Sequence, residues 1–544
     1  MRLFPMISGQ GRVIWAQATG ALAIALLAAG CGDNYRPVVT PVPSSGPAAQ
    51  PTSYAAVVST TGVAAAVTNP QCSSTDGVVT FIDYSGDSIM TEACIGPNPT
   101  AFTIDEGGYT GYTLNSDGTL SNFSITTTLQ TKNVSYSTLS PTSKLVNLMP
   151  PSSGLWATDL NGDVVDLFSG SPQAFKLAIP VASLGNVATM PMFIAGSGTL
   201  TGQREYVLSQ NVPDTNQMVD ATTCDNPANF ATVPIGVATP IEIVNDTTDP
   251  AIPVGKCPVY AVQTPDLQRL FVFNRGDDTI TVINSQNNTL DSCNPFKNQN
   301  GQWVTCHPTI QLPKGSGPIY GEYNALTQQL VVANYDGGTV SVIDVPIDEY
   351  GNDANTYTNN PCTTYASCGA ITGGFGTMYT IKVGNTSHPN PASVTVLYDG
   401  SKAYTANQND DNGNGNGTVT VVNLSTYTVE KTIPVAGHPR TVVNTQNSEF
   451  AKIYVDSPDS PYITIIESSP TITDQIDTTV LIQGLPIDIR TTTQNGTNGN
   501  NNYSSRVPGY GQPCNLSAGQ LTSYYGANYL STLKLSQCEA QALP

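Results

Sequence analysis

The sequence predicts an all-β protein built from repeated four-stranded units, a β-propeller. The first observation is composition: 48 Gly and 40 Pro in 544 residues, with 11% charged residues, favour strands and turns over long helices. The second is a repeat, because "FVFNRGDDTITVIN" at 271–284 returns as "VVANYDGGTVSVID" at 331–344. Each copy is a β-branched run, a polar turn and an alternating strand, which is typical of a half-buried hairpin. A recurring hairpin indicates repeat architecture.

The repeat unit is longer than its hairpin. In the clearest copies a strand led by proline comes first, a second strand usually ends in Asn, and a fourth strand follows the hairpin, as in "PIYGEYNALTQQLVVANYDGGTVSVID". Four antiparallel strands form one propeller blade. Weaker copies precede these, among them "GYTGYTLNSDGTLSNFSI" and "GLWATDLNGDVVDLF". The hairpins predict eight blades.

The second strands carry a family resemblance. They read "AVTN", "FVFN", "VVAN" and "YTAN", and with the Val-Ser-Val-Ile-Asp-like strand that follows they resemble the YVTN family of β-propeller repeats. The resemblance extends over roughly residues 54–493 and implies a propeller domain there. Seven blades are common among similar propellers, so seven remains the alternative to eight.

Ring closure is predicted to use the far end of the chain. "PIDIRTTT", residues 486–493, has the pattern of a first strand but no hairpin follows it. Because an open ring would expose two sheet edges, we expect this segment to dock beside the strands at 63–93, with "YAAVVST" competing for that position. Residues 494–544 then form a Gly- and Asn-rich linker and a small tail.

The N-terminus resembles a bacterial lipoprotein signal. The apolar run "ALAIALLAAGC" is too short to span a membrane comfortably and ends in small residues before Cys31. The resemblance implies that residues 1–30 are a signal peptide and that Cys31 is lipidated, with Gly32 favouring the outer membrane. An ordinary secretory signal or anchor helix is the alternative. Residues 31–53 are rich in proline and form an extended tether.

The other ten cysteines indicate disulfides, as expected for an exported chain. Neighbours along the chain are the simplest pairing, although connectivity does not follow from sequence. Metal ligation is disfavoured because no Cys-x-x-Cys occurs. The candidate pairs are Cys72 with Cys94, Cys224 with Cys257, Cys293 with Cys306, Cys362 with Cys368, and Cys514 with Cys538.

The charge of the chain limits its partners. With 20 basic against 40 acidic residues the formal net charge is -20, so nucleic acid phosphates would be repelled. We therefore predict no nucleic acid partner and contact with a membrane only through the lipid anchor.

One segment resembles a calcium loop. In "DDNGNGNG", Asp410, Asn412 and Asn414 match the first half of an EF-hand, with oxygen ligands on alternate residues. The twelfth position is Val421 rather than Glu, and the segment joins two strands, so a flexible hairpin tip is the alternative. Calcium is the one cofactor that the sequence leaves open.

A rim around the central funnel is the predicted ligand site. Residues after the lead prolines should line it, together with two histidines in connectors between blades, which could also hold a metal or transfer a proton. A slip of one residue would turn each strand side chain away. The predicted rim residues are Tyr260, Tyr320, His388, His438, Arg440 and Asp488.

Three classes of function fit these features. The first is an envelope-anchored, non-catalytic binding or scaffold module for a protein or glycan of the envelope, with recognition in the insertions at 286–307 and 346–376. The second is a lactonase-like or other hydrolase acting at the funnel. The third, a redox or quinone-dependent enzyme, is disfavoured because no haem or cofactor motif occurs. No nucleophile elbow, phosphate loop or zinc-protease motif occurs either, so catalysis is not the first expectation.

Overall fold

The computed structural model describes residues 54–492 except for internal gaps. The gaps are 61–71, 106–107, 151–153, 182–189, 197–203, 212–222, 265–268, 286–287, 292–295, 298–302, 305–308, 325–326, 346–374, 398–399, 412–415, 446–451 and 469–473. The predicted signal peptide, Cys31, the tether, the tail, Asn412, Asn414 and six of the paired cysteines lie outside the described residues, as does most of the two insertions.

Eight four-stranded antiparallel sheets form a ring, so the predicted fold and the count of eight blades are confirmed and seven is wrong. The inner strands of blades 1 to 8 are Pro486–Thr491, Pro99–Ile104, Leu145–Met149, Pro191–Gly196, Pro258–Gln263, Pro318–Asn324, Pro391–Val396 and Thr441–Asn444. The second strands are Tyr54–Ser59, Thr110–Asn115, Leu155–Asp159, Arg204–Ser209, Arg269–Asn274, Gln329–Asn334, Lys402–Asn407 and Lys452–Ser457. The third strands are Asp76–Asp83, Thr119–Ser124, Val164–Ser169, Ile235–Glu242, Thr279–Asn284, Thr339–Asp344, Thr418–Asn423 and Ser460–Glu467.

The outer strands are less regular. Six are continuous: Ile89–Pro97, Ser135–Thr138, Ala174–Pro180, Thr377–Lys382, Thr428–Pro434 and Gln475–Leu481. In blades 4 and 5 the outer position is divided between two short strands, Thr247–Thr248 with Ile252–Lys256 and Thr289–Leu290 with Thr309–Gln311. The excursion in blade 5 includes a small hairpin, Phe296–Lys297 with Trp303–Val304. The described helices are Ile125–Thr131 and the 3-10 turns Thr223–Asp225 and Pro227–Asn229.

The ring closes through the C-terminal strand, as predicted. Pro486–Thr491 pairs antiparallel with Tyr54–Ser59, which in turn pairs with Asp76–Asp83. The expected partner was wrong: the C-terminal segment is the inner strand and pairs with "YAAVVS", the second strand, rather than with the strands at 63–93, so the two segments do not compete. Both segments are needed to complete blade 1.

The strand directions define two faces of the disc. Connectors between blades and hairpins between second and third strands lie on one face, which we call the connector face. The opposite, terminal face carries the two ends of the propeller, where Thr492 N–H donates to the Tyr54 carbonyl at 2.8 Å and Tyr54 N–H to Thr492 Oγ1 at 2.8 Å. The chain therefore enters and leaves the propeller on the same face.

Apolar side chains fill the spaces between neighbouring blades. Tyr206, Phe271 and Val332 lie on the second strands of blades 4, 5 and 6 and belong to one buried cluster. Alternation along each strand delivers these residues to the blade interfaces, as expected for a strand with two packed faces. Packing between blades thus provides the core.

The asparagines that end the second strands act as clamps between strands. Nδ2 of Asn334 donates to Thr339 Oγ1 at 3.0 Å and Ser341 Oγ at 2.9 Å on the third strand, and Asn407 makes the same pair of bonds. In this hairpin Gly338, with a φ of 61°, adopts the left-handed backbone conformation. The repeated Asn stabilises the hairpin through its side chain.

Ion pairs and hydrogen bonds join neighbouring blades near the terminal face. Lys402 Nζ lies 2.6 Å from Asp474 Oδ2, and Tyr404 donates to Asp474 Oδ1 at 2.9 Å. Lys452 makes the corresponding bond to Asp87 across the closure between blades 8 and 1, at 2.5 Å. Because these groups are mostly buried, each charge depends on its partner.

Two of the predicted disulfides lie within the described residues. Cys72 and Cys94 are bonded, as are Cys224 and Cys257, with Cα atoms 5.5 and 5.6 Å apart. The second bond ties the 3-10 turns of blade 4 to the start of blade 5. No helix among the described residues has the length and apolar character to cross a membrane.

Candidate functional site at the channel mouth

The inner strands place one residue of each blade at an equivalent position around the axis. In most blades the lead residue pairs with the last residue of the second strand and a bulge follows, so the residue two positions later has the same register throughout. Each inner strand also packs against the inner strands of both neighbouring blades. We call the eight equivalent residues the channel ring: Asp488, Ala101, Asn147, Phe193, Tyr260, Tyr320, Ser393 and Thr441.

One arc of the channel ring is aromatic. The centroids of the Phe193 and Tyr260 rings lie 4.7 Å apart, and those of Tyr260 and Tyr320 lie 4.5 Å apart. The tyrosine hydroxyls are hydrogen-bonded to each other. Three consecutive blades therefore contribute a row of contacting rings that carries two hydroxyl groups.

The arc formed by blades 7, 8 and 1 is polar. Ser393 Oγ donates to the Arg440 carbonyl at 2.8 Å and accepts from Val442 N–H at 3.0 Å. Thr441 Oγ1 lies 3.4 Å from Asp488 Oδ1, which also accepts from Ile489 N–H at 2.9 Å. The polar arc therefore presents oxygen atoms, whereas the aromatic arc presents rings.

Arg490 is paired with Asp488 of the polar arc. It lies two residues beyond Asp488 on the closing strand, and its Nε donates to Asp488 Oδ2 at 2.9 Å while Nη2 bonds the same oxygen. Nη2 also contacts the Phe102 carbonyl at 3.4 Å. The charge of Arg490 lowers the pKa of both Tyr260 and Tyr320, although burial, the largest cause, raises both. For Tyr320 the net result is a pKa of about 12.

Glu322 lies deeper in the channel than Tyr320, two residues along the same strand. The residue is 3% exposed, and its Oε2 accepts from Val396 N–H of the next blade at 2.8 Å. This charge-assisted hydrogen bond helps to stabilise the buried carboxylate. Its charge raises the pKa of both channel tyrosines.

Asp456 is a buried carboxyl directly behind the polar arc. It is 0% exposed, its Oδ1 accepts from Thr441 N–H at 2.9 Å, and its Oδ2 has no hydrogen-bond partner among the described residues. Burial first, and the Asp488 carboxylate second, raise the pKa of Asp456 to about 7. Asp456 thus holds a proton over most of the acidic range.

Replacing Asp456 with Asn is expected to reduce the pH dependence of stability. Because the folded pKa is raised, the stabilising contribution of protonated Asp456 is present below its unfolded pKa and is lost as pH rises through about 7. Between pH 5 and pH 8 the free energy of unfolding of the wild type should fall by roughly 3 kcal/mol. Asp456→Asn should not show this fall. Thermal unfolding at both pH values checks this, and parallel pH profiles for the two proteins would contradict it.

The structure places some of the predicted rim residues in the channel ring and others outside it. Tyr260, Tyr320 and Asp488 occupy equivalent positions in the channel ring. Arg440 does not: it follows its lead proline by one residue instead of two, its side chain is exposed, and Thr441 takes the ring position. The prediction slipped by one residue in blade 8, which turns the side chain away.

The two histidines lie in connectors on the connector face but do not form a described pair. His388 is exposed. His438 has Nδ1 2.5 Å from Asp459 Oδ2, and its backbone N–H donates to Asp459 Oδ1 at 2.7 Å. Burial raises the pKa of Asp459, but these bonds outweigh it and hold the pKa below its usual range.

The carboxylate of Asp410 is occupied by protein donors. It accepts from Asn385 and Thr386 N–H at 2.8 and 2.7 Å and from Thr418 Oγ1 at 2.6 Å. Among the described residues no group of three or more His, Cys, Asp or Glu side chains is arranged to hold a metal. The hypothesis of calcium at this loop stays a prediction, since its other two ligands lie outside the described residues.

Sequence reasoning missed Arg490, Glu322 and Asp456. Alternation in strands would have found Arg490 and Glu322, because both follow a ring residue by two positions. Asp456 stands where the other second strands carry mostly apolar residues or Thr, such as Phe273, Ala333 and Ala406. That contrast was visible in the aligned repeats.

Comparisons with known proteins support the fold alone. No family model matches the chain and no curated protein matches it. Among solved structures, periplasmic gluconolactonase of Pseudomonas aeruginosa is 13% identical, with 82% of this chain and 100% of that chain covered and a TM-score of 0.43. Apo AztD of Citrobacter koseri is 12% identical over 81% and 97%, with a TM-score of 0.46. The dihydro-heme d1 dehydrogenase NirN, in complex with DHE, is 11% identical over 80% and 75%, with a TM-score of 0.51.

Proposed function

We propose that this protein is an envelope-anchored, non-catalytic binding module whose binding site is the channel mouth. The observation that carries the proposal is the asymmetry of the channel ring. The contacting rings of Phe193, Tyr260 and Tyr320 occupy one arc, and the polar Thr441 and Asp488 occupy another. A concave site lined by aromatic rings and a few polar groups is typical of ligand recognition. Buried charged groups also cluster at functional sites, and Arg490, Glu322 and Asp456 all lie close to this ring.

The positions of the chain ends support this arrangement. Tyr54 and Thr492 lie on the terminal face, so a tether leading from Cys31 would join the propeller on that face. The channel-ring tyrosines lie nearer the opposite, connector face. Arg440 and His438 lie on that side and would meet an approaching partner.

The YVTN resemblance and the lipoprotein signal belong to the same proposal. Together they describe a repeat protein held on the outer membrane by acyl chains, with partners that are protein or glycan components of the envelope. The insertions at 286–307 and 346–376 would supply additional recognition, since loops on a rigid frame commonly carry binding function.

Cross-linked affinity purification from the native envelope tests the proposal. Full-length protein is compared with Cys31→Ser, which removes the lipidation site, and with Tyr320→Phe, which removes one channel hydroxyl. We expect a specific partner or ligand, and we expect either change to weaken its capture. Identical recovery of bulk envelope proteins by all three would reject the binding-module proposal.

A hydrolase acting on a small ligand is the second candidate. The observation in its favour is His438, whose ring is oriented by Asp459 through Nδ1 and whose Nε2 has no partner among the described residues. Such a pair is the arrangement of a histidine general base. Lactone hydrolysis by the purified protein that disappears in His438→Gln would favour this candidate over the first.

A further inference from the structure

Blades 2, 5, 6 and 7 fasten the hairpin between the second and third strands in the same way. The Asn that ends the second strand donates through Nδ2 to two hydroxyl groups of the third strand, and the second hydroxyl lies 2.8 to 2.9 Å away. In blades 5, 6 and 7 this Asn pairs in register with the first hydroxyl residue, and the second follows two positions later. The four clamp residues are Asn115, Asn274, Asn334 and Asn407.

Blade 3 has two carboxyl groups in place of this clamp. Asp159 ends the second strand and pairs with Val164, so Asp166 stands two positions later, where the other blades carry the second hydroxyl. Both residues are buried, with exposed fractions of 5% and 6%. Because the side chains at these two places are in hydrogen-bond contact in the other blades, the two carboxyl groups meet here. Two ionised carboxylates in such contact repel each other.

The described partners leave one oxygen of each carboxyl for the other. Asp159 Oδ1 accepts from the backbone N–H groups of Lys144 and Asn161 at 2.8 and 3.0 Å, and its Oδ2 has no hydrogen bond to a described residue. Asp166 Oδ2 accepts from Ser143 Oγ at 3.4 Å, and its Oδ1 has no such bond either. A carboxyl that keeps its proton can donate to a neighbouring carboxylate, which removes the repulsion.

We propose that Asp159 and Asp166 share one proton, with the O–H of Asp166 donating to Asp159 Oδ2, and that loss of this proton loosens the seam between blades 2 and 3. The connector between these blades is held at the same place. Lys144 N–H donates to Asp159, and Asn161 Nδ2 donates to the Thr142 carbonyl at 2.8 Å. Repulsion between the two carboxylates would therefore open the hairpin and release the connector on the connector face.

The surroundings of the pair favour a retained proton. Burial first, and Asp159 second, raise the pKa of Asp166 to about 6, while the hydrogen bond from Ser143 lowers it. The outer strand brings Ala178 beside Asp166, and Leu114 and Leu120 of blade 2 belong to the apolar cluster that packs on this side of blade 3. The other charged side chains on the elements around the pair are the half-buried Asp163 and the exposed Lys144 and Asp117.

The direction of the pH effect follows from the raised pKa of Asp166. The stabilising contribution of the shared proton is fully present below the ordinary pKa of 3.8 and is lost as pH rises through about 6. Mildly acidic medium should therefore keep this seam closed, and neutral or basic medium should weaken it. The clamps of blades 5, 6 and 7 contain no titrating group, so their hairpins should not share this dependence.

Hydrogen exchange followed by mass spectrometry on the full chain, at pH 5 and pH 8, tests the proposal. After correction for the intrinsic pH dependence of exchange, the protection factors of the hairpin at 155–168 should fall about tenfold between the two pH values, as a pKa shift from 3.8 to about 6 requires. The hairpin at 329–344, closed by Asn334, is the internal reference and should change little. An equal change in both hairpins would overturn the proposal.

A rebuilt clamp provides the matched variant. Asp159→Asn combined with Asp166→Ser installs the two side chains that blade 6 has at these places, and the tenfold fall should disappear. Asp163→Asn removes an acidic group from the same hairpin but not from the pair, so the fall should remain. If the double variant does not fold, Asp166→Asn replaces it. A fall that persists without the pair, or that vanishes in Asp163→Asn, would reject the shared proton.

Discussion

Replacing Arg490 with Met is expected to lower the free energy of unfolding by about 3–5 kcal/mol, because it leaves Asp488 with an uncompensated charge in the channel. Arg490 is also the closing strand's contact with the Phe102 carbonyl of blade 2. Urea denaturation followed by circular dichroism measures the loss. Arg440→Met is the matched control, since Arg440 is exposed, and its effect should stay within about 0.5 kcal/mol.

A double variant identifies the cause of that loss. If the cost arises from the orphaned carboxylate, Arg490→Met combined with Asp488→Leu should recover a large part of the lost stability, because an apolar pair can replace a buried ion pair. If the double variant is less stable than Arg490→Met alone, Asp488 contributes through Thr441 and the backbone rather than through Arg490. A wild-type midpoint for Arg490→Met would contradict the prediction directly.

Ending the chain after Leu485 is expected to abolish cooperative unfolding. The truncation removes the inner strand of blade 1, exposes the edge of Tyr54–Ser59, and takes Asp488 and Arg490 out of the channel. Exposed edges pair with other chains, so the product should elute as aggregate in size-exclusion chromatography.

A second truncation provides the control. Ending the chain after Thr492 keeps the closing strand and both hydrogen bonds between Thr492 and Tyr54. This protein should remain monodisperse with a wild-type β spectrum. If the shorter protein, ended after Leu485, unfolds with the same midpoint as the longer one, closure through the C-terminal strand does not stabilise the ring.

The architecture was predictable because its signals are local. A hairpin such as 271–284 contains both strands and its turn within fourteen residues, and alternation within it identifies the half-buried pattern. Counting such hairpins gave eight blades. The pairing of Cys72 with Cys94 and Cys224 with Cys257 also joins near neighbours in sequence, which is why the simplest pairing was correct for these bonds.

The positions of the site residues were predictable only in the blades where a proline is the first residue of the inner strand. In blades 1, 5 and 6 the lead proline starts the inner strand directly, and Asp488, Tyr260 and Tyr320 follow it by two residues. In blade 8 the lead position is Pro439 but the strand is assigned only from Thr441, so counting one residue too few selected Arg440. Because side chains alternate between faces, an error of one residue exchanges a channel residue for an exposed one.

The sequence by itself determined the repeated blade, and it favoured eight blades and closure by the C-terminal segment. Each of these depends on patterns that short segments impose on their own backbone. Only the tertiary structure decided that the Tyr260 ring stacks against that of Tyr320, and that Asp456 lies behind Thr441 and next to Asp488. These groups come from different blades, and the raised pKa values of Tyr260, Tyr320 and Asp456 arise from burial and charge that exist only once the ring has closed.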